Sequence, residues 1–381
     1  MRNRGTLRRA VTLVGAAAVI SGGFAAPAHA ASIWTLLSSP NRGTDYNQLT
    51  AVAARSAGDV WAVGTFRNPS SSLYQTLIEH SEGTGFRIVR SPNVGTSYNE
   101  LNGVDADAPG DAWAVGFWAA GNANRTLVER WNGTAWAAVS SPNTPGSDDL
   151  RGVAALSPTD AWAVGDSRNP NPVPLAEHWD GNSWEVVSTP IPVGGGTLAS
   201  VAAISPTDVW AVGALGDGDD GALAEHWNGS AWSIVPTPAL AGIGLFSSAT
   251  AVGSSDVWAV GSQGSSTLTE HWDGSSWSIV SSPDPLPTYK GNNFLTAVTA
   301  VSSTDVWAVG ATLDFTLGEL EQTMTMRWDG TSWTVVNSPN RGTGSNLLLG
   351  AGSLGGGVVF AAGTLTQSGT NRTLMIGTNQ G

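Results

Sequence analysis

The chain has 381 residues, a formal net charge of −13, no cysteine, and unusually many tryptophans (18), glycines (48) and prolines (20). Without cysteine there are no disulfides, thiolate metal sites, cysteine nucleophiles or redox dithiols, and the acidic balance argues against nucleic acid or anionic lipid as a partner. Few charges beside many Gly and Pro describe an all-β protein rich in tight turns.

In chain order, Arg2, Arg4, Arg8 and Arg9 form a basic head, Val11 to Ala26 is almost wholly apolar, and Ala28-His29-Ala30 gives a small-x-small cleavage pattern. This predicts a secretory signal peptide over residues 1–30. Arg8-Arg9 suits the twin-arginine route but Ala10-Val11-Thr12 continues that motif poorly, so the general and twin-arginine routes both stand. No later stretch is long and apolar enough for membrane insertion, and the expected mature product is a secreted, extracellular single domain over residues 31–381. It carries 13 cationic side chains against 30 acids, a net charge of −17, with Lys290 as its sole lysine. Exported without disulfides, it must rely on a large core.

Next comes Ile33-Trp34-Thr35-Leu36-Leu37-Ser38-Ser39-Pro40-Asn41, and then a repeat. Asp-(Val/Ala)-Trp-Ala-Val-Gly occurs six times, at Trp61, Trp113, Trp162, Trp210, Trp258 and Trp307, with a decayed seventh copy at Phe360. The spacings are 52, 49, 48, 48, 49 and 53 residues, the period of a propeller blade. Twelve residues before each aromatic stands Leu49, Leu101, Leu150, Leu198, Phe246, Leu295 or Leu348. That fixed interval, enclosing turns such as Ser-Pro-Thr-Asp, predicts two strands and a tight turn. The second half of each unit, Leu-x-Glu-His-Trp-Asp-Gly-x-x-Trp with local changes, predicts a hairpin. The seventh copy stops before its fourth strand, and residues 33–41 match residues 332–340, which carry the fourth strand of the sixth copy. The expected fold is therefore an all-β, seven-bladed β-propeller of four-stranded antiparallel blades, the last closed by the N-terminal strand.

The Asp-Val-Trp-Ala-Val-Gly repeat, over essentially all of residues 31–381, resembles those of secreted bacterial propellers in the kelch and galactose-oxidase-central-domain style. The hairpin Gly-x-x-Trp is also similar to the Asp-box of sialidases, but Trp227 stands where that box has its aspartate. The resemblance implies architecture; function has to be read from sites. With no cysteine, the Tyr–Cys copper chemistry of galactose oxidase is excluded.

The mid-strand Trp61, Trp113, Trp162, Trp210, Trp258 and Trp307 read as core, each burying on the order of 200 Å². Trp131, Trp179, Trp227, Trp272 and Trp328 beside the hairpin turns are candidate sugar-stacking platforms, with clamping of the hairpin as the alternative. Asp59, Asp111, Asp160, Asp208, Asp256 and Asp305 are expected to fix the first turn by accepting backbone N–H bonds. Glu79-His80, Glu177-His178, Glu225-His226 and Glu270-His271, with Glu129-Arg130 as a variant, suggest a ladder in which Glu of one blade meets His or Arg of the next. Asp217, Asp219 and Asp220 lie on a Gly-rich loop that could chelate Ca²⁺, a solvated turn being the alternative; no other cofactor is expected. Antiparallel geometry sends the variable connections to one face of the disc, where loops carry recognition. Phe117 and Trp118, the latter the only tryptophan outside the repeat pattern, are candidate contacts there.

No unique convergent carboxylate set or Arg cluster for an axial active site is evident in the sequence. The expectation is a non-catalytic, monomeric binding or scaffold protein that recognises glycan or extracellular protein. A secreted carbohydrate-active hydrolase or lyase is the alternative.

Overall fold

The structure, a computed structural model, describes residues 34–378 except 82, 84, 217–220 and 241. The predicted signal peptide and the Asp217, Asp219 and Asp220 loop lie outside the described residues. Seven four-stranded antiparallel sheets follow one another around an axis. Blade one comprises Asn47–Ser56, Asp59–Arg67, Tyr74–Ser81 and Phe86–Val89. Blades two to six span 99–139, 147–187, 196–234, 244–279 and 291–336, and blade seven combines 346–378 with Trp34–Leu36. One short 3-10 turn, Phe315–Leu317, is the only helical element among the described residues.

The second strand is buried along most of its length because neighbouring blades cover both its faces. Trp61, Trp113, Trp162, Trp210, Trp258 and Trp307 are at most 2% exposed. The first five each touch two tryptophans of the next blade, as Trp162 does with Trp227 (centroids 5.0 Å apart) and edge-on Trp232 (5.3 Å), while Trp307 meets Trp34. Edge-to-face packing of this kind adds to area burial, so the repeated tryptophans hold blade to blade.

The glycine ending each Trp-Ala-Val-Gly has a steric cause. In every blade the first strand carries a β-bulge just after its buried apolar residue, between Leu49 and Ala51 in blade one. The bulge presses the backbone onto the facing glycine: a Cβ on Gly64, Gly116, Gly165, Gly213, Gly261, Gly310 or Gly363 would lie 1.8–2.1 Å from a carbonyl oxygen of that strand. No side chain fits there.

The ring closes as the end-matching predicts. Trp34, Thr35 and Leu36 pair with Thr378, Gly377 and Ile376. Trp34 meets Trp307 edge-on at 5.3 Å, the same relation that Trp333 has to Trp258. Buried side chains also anchor the linkers between blades. The first strand opens with Asn47, Asn99, Asp148, Asn293 or Asn346, each accepting a backbone N–H from its linker at 2.7–3.0 Å.

Candidate functional site at the mouth of the axial channel

The bulge of each first strand leaves one extra residue, and the seven extra residues face the axis. Thr50, Asn102, Arg151, Ala199, Ser247, Thr296 and Leu349 all line a central channel of about 370 Å³. Three of them bind the neighbouring blade: Thr50 Oγ1 donates to Leu101 O (2.6 Å), Asn102 Nδ2 to Leu150 O (2.8 Å) and Thr296 Oγ1 to Leu348 O (2.8 Å). Arg151 departs from this pattern and reaches up to Asp166 Oδ1 at 2.7 Å. Arg168 binds the other oxygen of Asp166 at 2.8 Å.

Two residues before each bulge residue, the chain reads Gln48, Glu100 and Asp149 in blades one to three, but Leu245, Phe294 and Leu347 in blades five to seven. The first strand starts at the face that carries the linkers and the connections between strands two and three, so these side chains surround the channel mouth on that variable face. Burial and the neighbouring Asp149 push the Glu100 carboxyl up, while Tyr98 and Arg151 pull it down. Burial and Asp166 likewise raise Asp149, against the lowering effect of Asn124, Arg151 and Arg168. Asn124 Nδ2 donates to Asp149 Oδ1 at 2.7 Å.

An aromatic row borders this charged group. Tyr46 and Tyr74 meet edge-on at 5.4 Å, Tyr74 and Tyr98 lie 4.8 Å apart, and Tyr98 stacks on Phe117 at 5.6 Å. The Tyr46 hydroxyl donates to Gln48 Oε1 at 2.7 Å and that of Tyr98 to the Glu100 carboxylate. Burial and the nearby Glu100 push the Tyr46 phenol up to about 12 and the Tyr98 phenol higher, so both stay protonated donors. Three of the chain's four tyrosines stand in this row. The mouth thus offers aromatic faces, fixed hydroxyls, two guanidinium groups and two carboxylates of raised affinity for protons, all over blades one to three. This is a convergent carboxylate and arginine set of the kind sequence reading missed. Comparing the repeat column by column, rather than searching for motifs, would have exposed it.

Phe117 and Trp118 lie on a strand, Asp111–Ala120, rather than on a loop, because that strand and the next run on to a tight turn at Gly121. Phe117 joins the aromatic row. Trp118 folds over Gly95, where an added Cβ would lie 3.0 Å from its ring. Trp131, Trp179, Trp227, Trp272 and Trp328 pack on the mid-strand tryptophan of the preceding blade. Trp179, Trp227 and Trp272 donate their indole N–H to the first turn of their own blade, at Pro158 O, Pro206 O and Ser254 O.

Among the described residues the expected Glu–His ladder between blades does not form. His80, His178, His226 and His271 each place Nε2 2.8 Å from Asp59, Asp160, Asp208 and Asp256 of their own blade. Arg130 and Arg327 do the same with Asp111 and Asp305. The aspartates therefore serve the turn through a cross-strand partner instead of the backbone bonds expected of them. The cause is reach: Asp lies one residue beyond the strand position that pairs with the hairpin tryptophan, on the face to which His points.

The glutamates face the other way and are fully buried. Glu79 and Glu177 accept from Ser39 and Ser141 of the linker before their blade. Both oxygens of Glu129, Glu225 and Glu270 lack a hydrogen-bond partner among the described residues. Burial pushes Glu79, Glu177 and Glu225 up to about 8 and Glu270 up to about 7, and raises Glu129 strongly.

No protein-family model matches the chain, and no curated protein matches it in sequence. Among solved structures it is similar to YCF48 bound to D1 peptide, at 13% identity and a TM-score of 0.55, over 93% of this chain and 98% of that one. YCF48 from Cyanidioschyzon merolae gives 16% identity and a TM-score of 0.55, over 92% and 99%. At this identity the likeness is one of fold.

Proposed function

We propose that the chain is an exported, non-catalytic binding protein of kelch-like propeller style that takes a glycan or an extracellular protein at the axial mouth of blades one to three. The observation that carries this reading is the break in sevenfold repetition. Positions filled by Leu245, Phe294 and Leu347 on one arc hold Gln48, Glu100 and Asp149 on the other. A rigid ring whose one polar, aromatic arc is stabilised by nothing repetitive is built for recognition. Tyrosines supply contact area at low entropic cost, and the paired Arg151 and Arg168 supply directed hydrogen bonds.

The test is a screen of the purified chain against glycan and extracellular peptide libraries, repeated with Tyr74→Ala and Arg151→Ala. A ligand lost with both substitutions supports the reading; a ligand retained by both sinks it.

A hydrolase or lyase is the second reading. It is favoured by one feature, the pair Glu100 and Asp149, each raised by burial and by a neighbouring acid. Turnover of a bound glycan that stops with Glu100→Gln would establish it.

A further inference from the structure

We infer a second ligand site, for an acidic polysaccharide, in the groove between blade one and blade two at the rim of the disc. The groove encloses about 740 Å³ and is lined by Arg42, Arg87, Arg90, Gln75, Trp131 and Thr134, among others. Its charge is unique in the repeat. The second residue of the fourth strand is Arg87 in blade one but Ala137, Glu185, Ser233, Ser278, Thr334 and Thr35 elsewhere; the fifth position is Arg90 against Ser140, Ser188, Pro236, Ser281, Asn337 and Ser38. The mature chain carries only 13 cationic side chains, and three of them line this one groove. Among the described residues Arg42 and Arg90 form no ion pair, whereas Arg67, Arg130, Arg151, Arg168 and Arg327 each hold an aspartate. The Arg42 guanidinium is held 4.8 Å over the Phe66 ring.

A basic groove on a strongly acidic protein selects an anion, since the rest of the surface repels one. The remaining lining narrows the class. Trp131 is half-buried against Trp61 and Trp136, so what it shows to the groove is a fixed apolar surface suited to a pyranose ring. The Gln75 NH2, whose carbonyl oxygen accepts from Asn68, and the Thr134 hydroxyl, which donates to Asn132 Oδ1 and keeps its lone pairs, add neutral hydrogen-bonding groups. Arginine forks for carboxylates beside an indole and neutral polar groups fit a uronate chain better than an acidic peptide. This site is separate from the axial mouth, and its test does not depend on the function proposed there.

The experiment is titration of the full mature chain with polygalacturonate, neutral galactan and poly-glutamate at low and high salt. Polygalacturonate is expected to bind saturably and more weakly as salt rises, with galactan silent. Arg42→Ser with Arg90→Ser, both exposed and without an ion pair among the described residues, should weaken binding at least about tenfold while leaving the melting temperature unchanged. Absence of saturable polygalacturonate binding, or binding unaffected by the double substitution, overturns the site. Equal affinity for poly-glutamate overturns its assignment to a polysaccharide. Loss of ligand at the axial mouth with this groove intact counts only against the function proposed for the mouth.

Discussion

The backbone N–H of Thr373 donates to Asn41 Oδ1 at 3.0 Å, although the two stand 332 positions apart in the chain. The same linker-to-strand bond recurs locally, from Thr126 to Asn143 and from Thr323 to Asn340. The closing contact is thus an ordinary inter-strand device made from the two ends of the described chain, and Leu37 N to Met375 O extends it.

Removal of residues 31–41 should therefore lower the melting temperature more than removal of an equally long surface loop. Trp34→Ala alone should cost roughly 3–5 kcal/mol, since the side chain is buried against Trp307. Denaturant unfolding of both variants checks this, and an unchanged midpoint for the truncated chain would refute closure as a source of stability.

Gly213→Ala should be among the most damaging single changes in the molecule. Its Cβ would sit 2.0 Å from Thr197 O, a backbone atom that a bulge holds in place. A cost above about 4 kcal/mol, or loss of soluble protein, is expected. By contrast Gly355→Ala, with open space around its Cβ, should be nearly neutral. Parallel expression and thermal melts of the two compare them directly.

The architecture was open to reading because repetition writes it many times over. Trp, Gly and the hairpin Asp-Gly recur at fixed intervals, and the fourth strand missing at one end is present at the other. The axial site was obscured for the same reason. A motif search rewards what repeats, while Glu100, Asp149 and Arg151 matter because they differ from Leu245, Phe294 and Leu349 at corresponding positions. The partners of His80 and Glu79 were misassigned because alternation along a strand tells which faces two side chains take, but not which neighbour lies within reach. Asp59, on the facing strand, was nearer than the next blade.

Arg151→Ala should separate recognition from folding. The side chain lines the channel and spans to Asp166, but Arg168 still neutralises that aspartate in its absence. Stability should fall by about 1–3 kcal/mol, since Asp166 is fully buried, while binding of a ligand at the mouth should weaken at least tenfold, about 1.4 kcal/mol. Calorimetric titration beside thermal melts reads both, and a large loss of stability would mark Arg151 as structural.

The buried glutamates set a pH dependence opposite in sign to that of a salt-bridged carboxylate. Glu79, Glu177 and Glu225 hold their protons in the folded chain up to about pH 8, against an ordinary value of 4.5. Below pH 4.5 both folded and unfolded chains are protonated at these sites, so the stability associated with them is fully present. Between 4.5 and 8 the unfolded chain releases protons that the folded chain retains, and stability falls as pH rises; above 8 the loss is complete. The hairpin aspartates act in a lower window. Backbone and hydroxyl donors hold Asp273 down at about 2, so its contribution is present above 3.8 and disappears only in stronger acid. Glu225→Gln should therefore match the parent at pH 4 and exceed it at pH 8 by on the order of 2 kcal/mol, because the amide cannot ionise in a site without a partner for its charge. Urea unfolding at pH 4, 6 and 8 decides it: parallel curves for parent and variant would mean that Glu225 ionises in the folded chain at little cost.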